Sequence, residues 1–256
     1  MSRYLERKRQ AILAAADQWF LPSGLDAAHL IAAYDFAGPG AESHALQDLS
    51  GNGYDLSKSS ERISWSHGSG FTLTFPNQGT ADGGYLDNAA LNQLSIVCAV
   101  VKFSGVSQDN RVPLITAGGA NGSVQLYARL TCYKEAEEGE ESGSVFNCGY
   151  PGYLRVFQQN AVYQDSQSVP LTAGVLGANF NSNNGLYING QLAAVAVRNS
   201  IDAGISETPR RTFGGSHNQK SVLNNAKWGT RTISSAVFFD IALSAAYHAA
   251  IAAAMP

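Results

Sequence analysis

The chain has 256 residues, enough for one large domain or two small ones. Hydrophobic residues make up 45%, which excludes a disordered chain, while charged residues reach only 14% against about 25% in an average soluble domain. With 26 glycines and a net charge of −3, the composition points to a turn-rich β protein and away from nucleic acid as an electrostatic partner.

Residues 1–25 carry a helical pattern. Leu5, Ile12, Ala16 and Trp19 fall on one face with Leu13 and Phe20 beside it, and Arg3, Arg7, Lys8 and Arg9 crowd the first turns. Pro22-Ser23-Gly24 then stops the helix. The apolar run at 11–16 is shorter than the core of a secretion signal and Asp17 ends it, so the stretch reads as a helix start rather than a leader. Such an amphipathic helix has three roles open to it: covering an edge of its own domain, docking on another protein or a second copy, or lying on a membrane surface. No stretch reaches the ~18 uncharged apolar residues of a spanning helix. The Ala-rich residues 241–255 come nearest, and His248 interrupts them.

Residues 26–256 read as one β domain. Strand-like runs fall at 29–36, 63–67, 71–75, 95–103, 112–116, 124–132, 145–148, 153–158, 174–180, 186–189, 192–197, 211–213 and 230–239. Gly, Asn and Ser clusters separate them, such as Ser50-Gly51-Asn52-Gly53. Many short strands without a long helix among them predict an antiparallel sandwich or barrel rather than βαβ units. Asn189-Gly190 is the strongest hairpin signal, because both central residues of a type I′ turn need φ > 0. At the end, Ser244 is placed to cap a short helix whose Tyr247, Ile251, Ala254 and Met255 share a face.

Several landmarks in order carry a family resemblance. They are the strand end Tyr34-Asp35-Phe36, the turn Asp48-Leu49-Ser50-Gly51-Asn52-Gly53, the hairpin Leu186-Tyr187-Ile188-Asn189-Gly190-Gln191-Leu192 and Phe213-Gly214-Gly215. The closing strand Val237-Phe238-Phe239-Asp240 and Ala242-Leu243-Ser244 complete the set. Over roughly residues 28–256 the chain resembles the concanavalin A-like lectin/glucanase superfamily in its laminin-G-like branch. The resemblance implies a two-sheet antiparallel jelly-roll sandwich, with the N-terminal helix outside it and a short C-terminal helix. Where that family usually carries a Trp in its early long strand, this chain has Ser95-Ile96-Val97-Cys98, which marks a divergent member.

Because the superfamily includes glucanases, catalysis is the first chemistry to weigh. Retaining hydrolysis needs two carboxylates about 5 Å apart. The only acidic cluster, Glu135-Ala136-Glu137-Glu138-Gly139-Glu140-Glu141, lacks the E-x-D-x-x-E pattern of such enzymes and reads as a solvated hairpin tip. G-x-S-x-G, H-E-x-x-H, C-x-x-C and Walker patterns do not occur. The expectation is therefore that the chain is no enzyme.

The resemblance implies Ca²⁺ near the loop after the first strand, with Asp48, Asn52, Asp55 and Asp240 as oxygen ligands suited to a hard cation. The alternative is that Asp48 and Asn52 only satisfy backbone groups of an Asx-type turn. A hairpin centred on Glu140 would set Cys132 opposite Cys148, as a bridge or as two free thiols; three cysteines suit a reducing compartment. Sugar faces need aromatic platforms beside hydrogen-bonding groups, and Trp65, His67, Tyr150, Tyr153, His217, Asn218 and Trp228 are the candidates.

The expected function is a non-catalytic carbohydrate- or surface-binding module meeting a glycan or cell-surface polysaccharide. A sandwich without a leader fits a phage or prophage virion accessory protein, made in the cytoplasm and held to its particle, or to itself, through residues 1–25. The alternatives are a structural sandwich without ligand and a glycan-processing enzyme with carboxylates from distant strands.

Overall fold

The computed structural model describes residues 18–58, 63–75, 85–91, 94, 96–105, 112–118, 126–135, 143–148, 154–157, 173–179, 183–197, 210–214 and 229–256. Among them the chain is mostly β. The strands are β1 (Leu30–Asp35), β2 (Ser57–Lys58), β3 (Ile63–Ser66), β4 (Gly70–Phe75), β5 (Tyr85–Asp87), β6 (Cys98–Ser104), β7 (Val112–Gly118) and β8 (Leu126–Glu135). They continue as β9 (Gly143–Cys148), β10 (Leu154–Phe157), β11 (Gly174–Asn179), β12 (Asn183–Ile188), β13 (Gln191–Val197), β14 (Arg210–Gly214) and β15 (Gly229–Phe239). A one-turn helix spans Glu42–Ala45 and a ten-residue helix spans Ala245–Ala254.

The strands form two sheets. The first runs β13-β12-β11-β6-β15-β4-β3, with β1 also paired to β15; the second runs β10-β9-β8-β7-β14-β5-β2. Every ladder between described strands is antiparallel. The long β15 offers one edge to β6 and divides the other, Gly229 to Ile233 against β4 and Ser235 to Phe239 against β1. Its register shifts between Ile233 and Ser235. The carbonyl of Ser234, freed there, accepts from the Phe36 and Ala37 amides just beyond β1.

The expected β12–β13 hairpin is present. Asn189 (φ 49°) and Gly190 (φ 78°) form the two-residue turn between paired Ile188 and Gln191.

The middle of the first sheet is buried on both faces. Along β6, Ala99, Val101 and Phe103 join Tyr34, Phe36, Phe71, Leu73 and Phe238 in one cluster that also takes in Leu86 of β5. Cys98 and Val100, with the opposite alternation, join Ala33, Val175, Val237 and Phe239 under Leu243, Ile251 and Met255 of the C-terminal segment. Two-sided burial is why this strand reads as an unbroken apolar run rather than an alternating one.

Three expectations need correcting. Phe20 is only 2% exposed and packs with Trp19, Leu21 and Leu25 in the second cluster, so residues 19–25 belong to the domain and run as turns rather than helix. The rest of the expected N-terminal helix lies outside the described residues. The β8–β9 hairpin is centred one residue before Glu140: Cys132 faces Phe146 and Thr131 faces Asn147, so the two cysteines are not opposite each other. The C-terminal helix buries His248 and Ile251, while Ala254 is exposed and Tyr247 only half-buried. Ser244 caps it as expected, its Oγ accepting from the Tyr247 amide.

Candidate functional site

The turn after β1 is organised by one carboxylate. Asp48 is 6% exposed; its Oδ1 accepts from the Ala33 and Ser50 amides at 3.1 and 2.9 Å, and its Oδ2 from Ser50 Oγ and the Tyr54 amide at 2.8 and 3.1 Å. Burial pushes this carboxyl above its ordinary range, and the Ser50, Ala33 and Tyr54 donors pull back against it. A carboxylate has about four lone-pair sites, so these four bonds use its accepting capacity. Asn52 Nδ2 donates to the Leu30 and Ile31 carbonyls, and exposed Asp55 accepts the Asp48 amide through Oδ1.

Asp240 turns elsewhere, its Oδ1 2.9 Å from His29 Nδ1 on the surface. Among the described residues no group of three or more His, Cys, Asp or Glu is arranged to hold a metal ion. Asp48, Asn52 and Asp55 are thus brought together, bonding groups of β1 and of the loop itself, and Asp240 is not among them.

Tyr34 supports the same loop, donating its hydroxyl to the Tyr54 carbonyl at 2.7 Å. Burial, then the charges of Asp48 and Asp55, hold its phenol well above the ordinary value. It is 0% exposed, so it presents nothing to a ligand.

Trp65 and His67 lie on β3 and in the turn that follows it. Trp65 is half-buried against the core and donates Nε1–H to the Phe36 carbonyl at 2.8 Å. Its ring meets that of exposed His67 edge-on, centroids 6.3 Å apart. The indole is therefore fixed in place and offers its remaining face beside an exposed imidazole. Tyr150, Tyr153, His217, Asn218 and Trp228 lie outside the described residues.

Sequence reasoning missed a buried polar node. His248, 1% exposed, stacks on Tyr187 with ring centroids 3.6 Å apart. Its Nε2 lies 3.2 Å from Asn179 Oδ1 and 3.8 Å from Cys98 Sγ, and its buried Nδ1 has no hydrogen-bond partner. Asn179 in turn holds the Leu243 backbone, accepting from its amide at 3.0 Å and donating to its carbonyl at 2.8 Å. Burial lowers the His248 imidazole to about 4 and pushes the Cys98 thiol far up. A Cys, a His and an Asn in contact suggest a nucleophilic triad, but both contacts fall on one ring nitrogen and the thiol is fully buried in its neutral form. The node is structural. Gly177 was its only signal in sequence, since a Cβ there would come within 2.5 Å of His248 Nδ1.

No family model and no curated protein matches the chain. Solved structures do. A Trypanosoma rangeli sialidase in complex with sialic acid matches over 96% of this chain and 37% of its own, at 12% identity and TM-score 0.59. The receptor binding domain of botulinum neurotoxin D matches over 89% of this chain and 53% of its own, at 13% identity and TM-score 0.53. A structure of botulinum neurotoxin type C, described as interacting with two ganglioside molecules, matches over 87% and 50%, at 12% identity and TM-score 0.50. The chain thus spans less than two fifths of the sialidases and about half of the toxin chains.

Two of the three are described with a carbohydrate partner, sialic acid or gangliosides, and at such identities the likeness is one of fold. They overturn one expectation. A fold shared with sialidases, which are enzymes, removes the ground for declaring this chain no enzyme. That exclusion rested on missing linear motifs, and catalytic groups gathered from distant strands leave none. No helix among the described residues is long and apolar enough to cross a membrane.

Proposed function

We propose that the chain is a carbohydrate-binding domain built as a concanavalin A-like jelly-roll sandwich, with sialylated glycans as the first ligand class to test. The observation that carries the reading is the fold likeness over 87–96% of the chain to a sialidase bound to sialic acid and to a toxin that interacts with gangliosides. Trp65 and His67 supply local support, as a clamped aromatic face beside an exposed hydrogen-bonding ring. Tyr150, Tyr153, His217, Asn218 and Trp228 complete the proposed contact set on sequence grounds alone. Calcium is left out of the reading, because the four donors around Asp48 already take up its oxygens. A virion accessory role, with docking or self-association through the N-terminal segment 1–25, rests on the sequence alone.

The test is a glycan array probed with the folded full chain, including gangliosides and their desialylated counterparts, with a parallel assay for sialic acid release. Binding that discriminates sialylated from desialylated glycans supports the proposal. Release of sialic acid would extend it to processing. Silence across the array from folded protein would overturn it.

A further inference from the structure

We propose that the C-terminal helix is an acid-released cap on the outer face of the first sheet, with buried His248 as its trigger. The helix is held at three places. Asn179 clamps the Leu243 backbone just before it, His248 sits against Cys98, Asn179 and Tyr187 in its middle, and at its end Lys102 Nζ and Ser235 Oγ donate to the carbonyls of Met255 and Pro256. Beneath it lies apolar surface from Cys98, Val100, Val175, Val237 and Phe239.

The middle contact is built for a neutral ring. No element around it brings a negative charge to the ring. β6 offers Cys98 and Lys102, β12 offers Tyr187, β15 offers only the cation Arg231, β1 offers Tyr34 and Asp35, and β11 and β13 contain no ionisable residue. The helix itself adds only Tyr247. Neither the thiol nor the phenol becomes negative in acid. Asp35 lies on the same outer face, but it interacts with Lys102 at the far end of the helix, about 10 Å from His248 by the helical rise. A proton added to the ring would therefore be buried without a counter-charge, at an Nδ1 that has no hydrogen-bond partner and sits so close to Gly177 that a Cβ there would lie 2.5 Å from it. Release of the helix gives that charge to water. Burial alone lowers the imidazole to about 4, consistent with no charged neighbour.

With the docked ring at about 4 and a free one at 6.5, the released fraction of the helix rises about 20-fold between pH 7 and pH 5. Hydrogen exchange on the full chain, corrected for the intrinsic effect of pH, reads this directly. The expected result is loss of protection in Ala245–Ala254 at pH 5 while the amides of β6 and β15 keep theirs. His248→Gln, which cannot gain a proton, is expected to reduce the acid response to under about threefold. Should that variant fail to fold, the wild-type His248 ring resonance gives the same answer: its titration is expected to coincide with helix release. Helix protection unchanged down to pH 4, loss shared equally by β6 and β15, or a ring that titrates near 6.5 with the helix still protected would overturn the proposal.

Discussion

Replacing Asp48 by Ala removes both oxygens that organise residues 48–55. The Ala33, Ser50 and Tyr54 amides each lose their acceptor, in a part of the protein where Ala33 and Ser50 are 0% exposed, while the Ser50 hydroxyl keeps the Ile31 carbonyl at 3.2 Å. An orphaned buried donor costs about 1–3 kcal/mol. Two terms reduce the sum: the carboxylate's own burial penalty disappears, and water enters the vacated volume to serve part of the set. A net loss of about 3–4 kcal/mol follows, which for a domain of this size lowers the melting temperature by about 10 °C. Asp48→Asn keeps Oδ1 for Ala33 and Ser50 but turns an NH₂ towards the Tyr54 amide, so it should fall between wild type and Asp48→Ala. Thermal denaturation followed by circular dichroism, with and without calcium, measures all of this. Calcium is expected to leave the melting temperature unchanged, whereas a site filled at a hundredfold excess over Kd would add about 2.7 kcal/mol. An Asp48→Ala protein melting within about 2 °C of wild type, or a calcium shift of several degrees lost in that variant, would refute the reasoning.

Three further outcomes are expected. His248 contributes stability that is complete above pH 6.5 and is lost as pH falls towards about 4, because its folded value is the lower one. Urea titrations across that window should show a loss approaching about 3 kcal/mol that is absent in His248→Gln, and a flat profile in wild type would contradict the assignment. Gly190→Ala strains a φ of +78° and drives a Cβ to 2.6 Å from Ala249 Cα, so it should cost about 2–3 kcal/mol in the same titration, and a neutral result would mean that turn and helix do not pack. Cys98 should resist iodoacetamide in the native protein and react after denaturation, as read by peptide mass spectrometry; native labelling would show that its burial is wrong.

The strand pattern was legible because local chemistry fixed it. Asn189-Gly190 permits a turn that few other dipeptides allow, and the apolar runs around Val100 and Val237 leave little alternative to buried strands. β2 and β5 were missed because two- and three-residue strands carry no period, and only pairing across distant sequence defines them. Phe20 was assigned to an N-terminal helix because it flanks the face that Leu5, Ile12, Ala16 and Trp19 form at helical spacing, yet it is buried in a turn against the outer sheet face. His248 looked like an interruption of an apolar tail. Its partners Cys98 and Asn179 come from strands 150 and 69 residues away, a juxtaposition that no local pattern contains. For the loop, the spacing of Asp48, Asn52 and Asp55 fits both a cation site and an Asx-type turn. Only the direction of the four donors separates them.

Glycan recognition is tested most directly by titrating the isotope-labelled full chain with sialyllactose and following its amide and indole resonances. Saturable shifts with a Kd near about 1 mM or tighter, including the Trp65 indole and the residues around His67, are the result predicted. A spectrum unchanged by sialyllactose, lactose and the ganglioside headgroups alike would contradict the account.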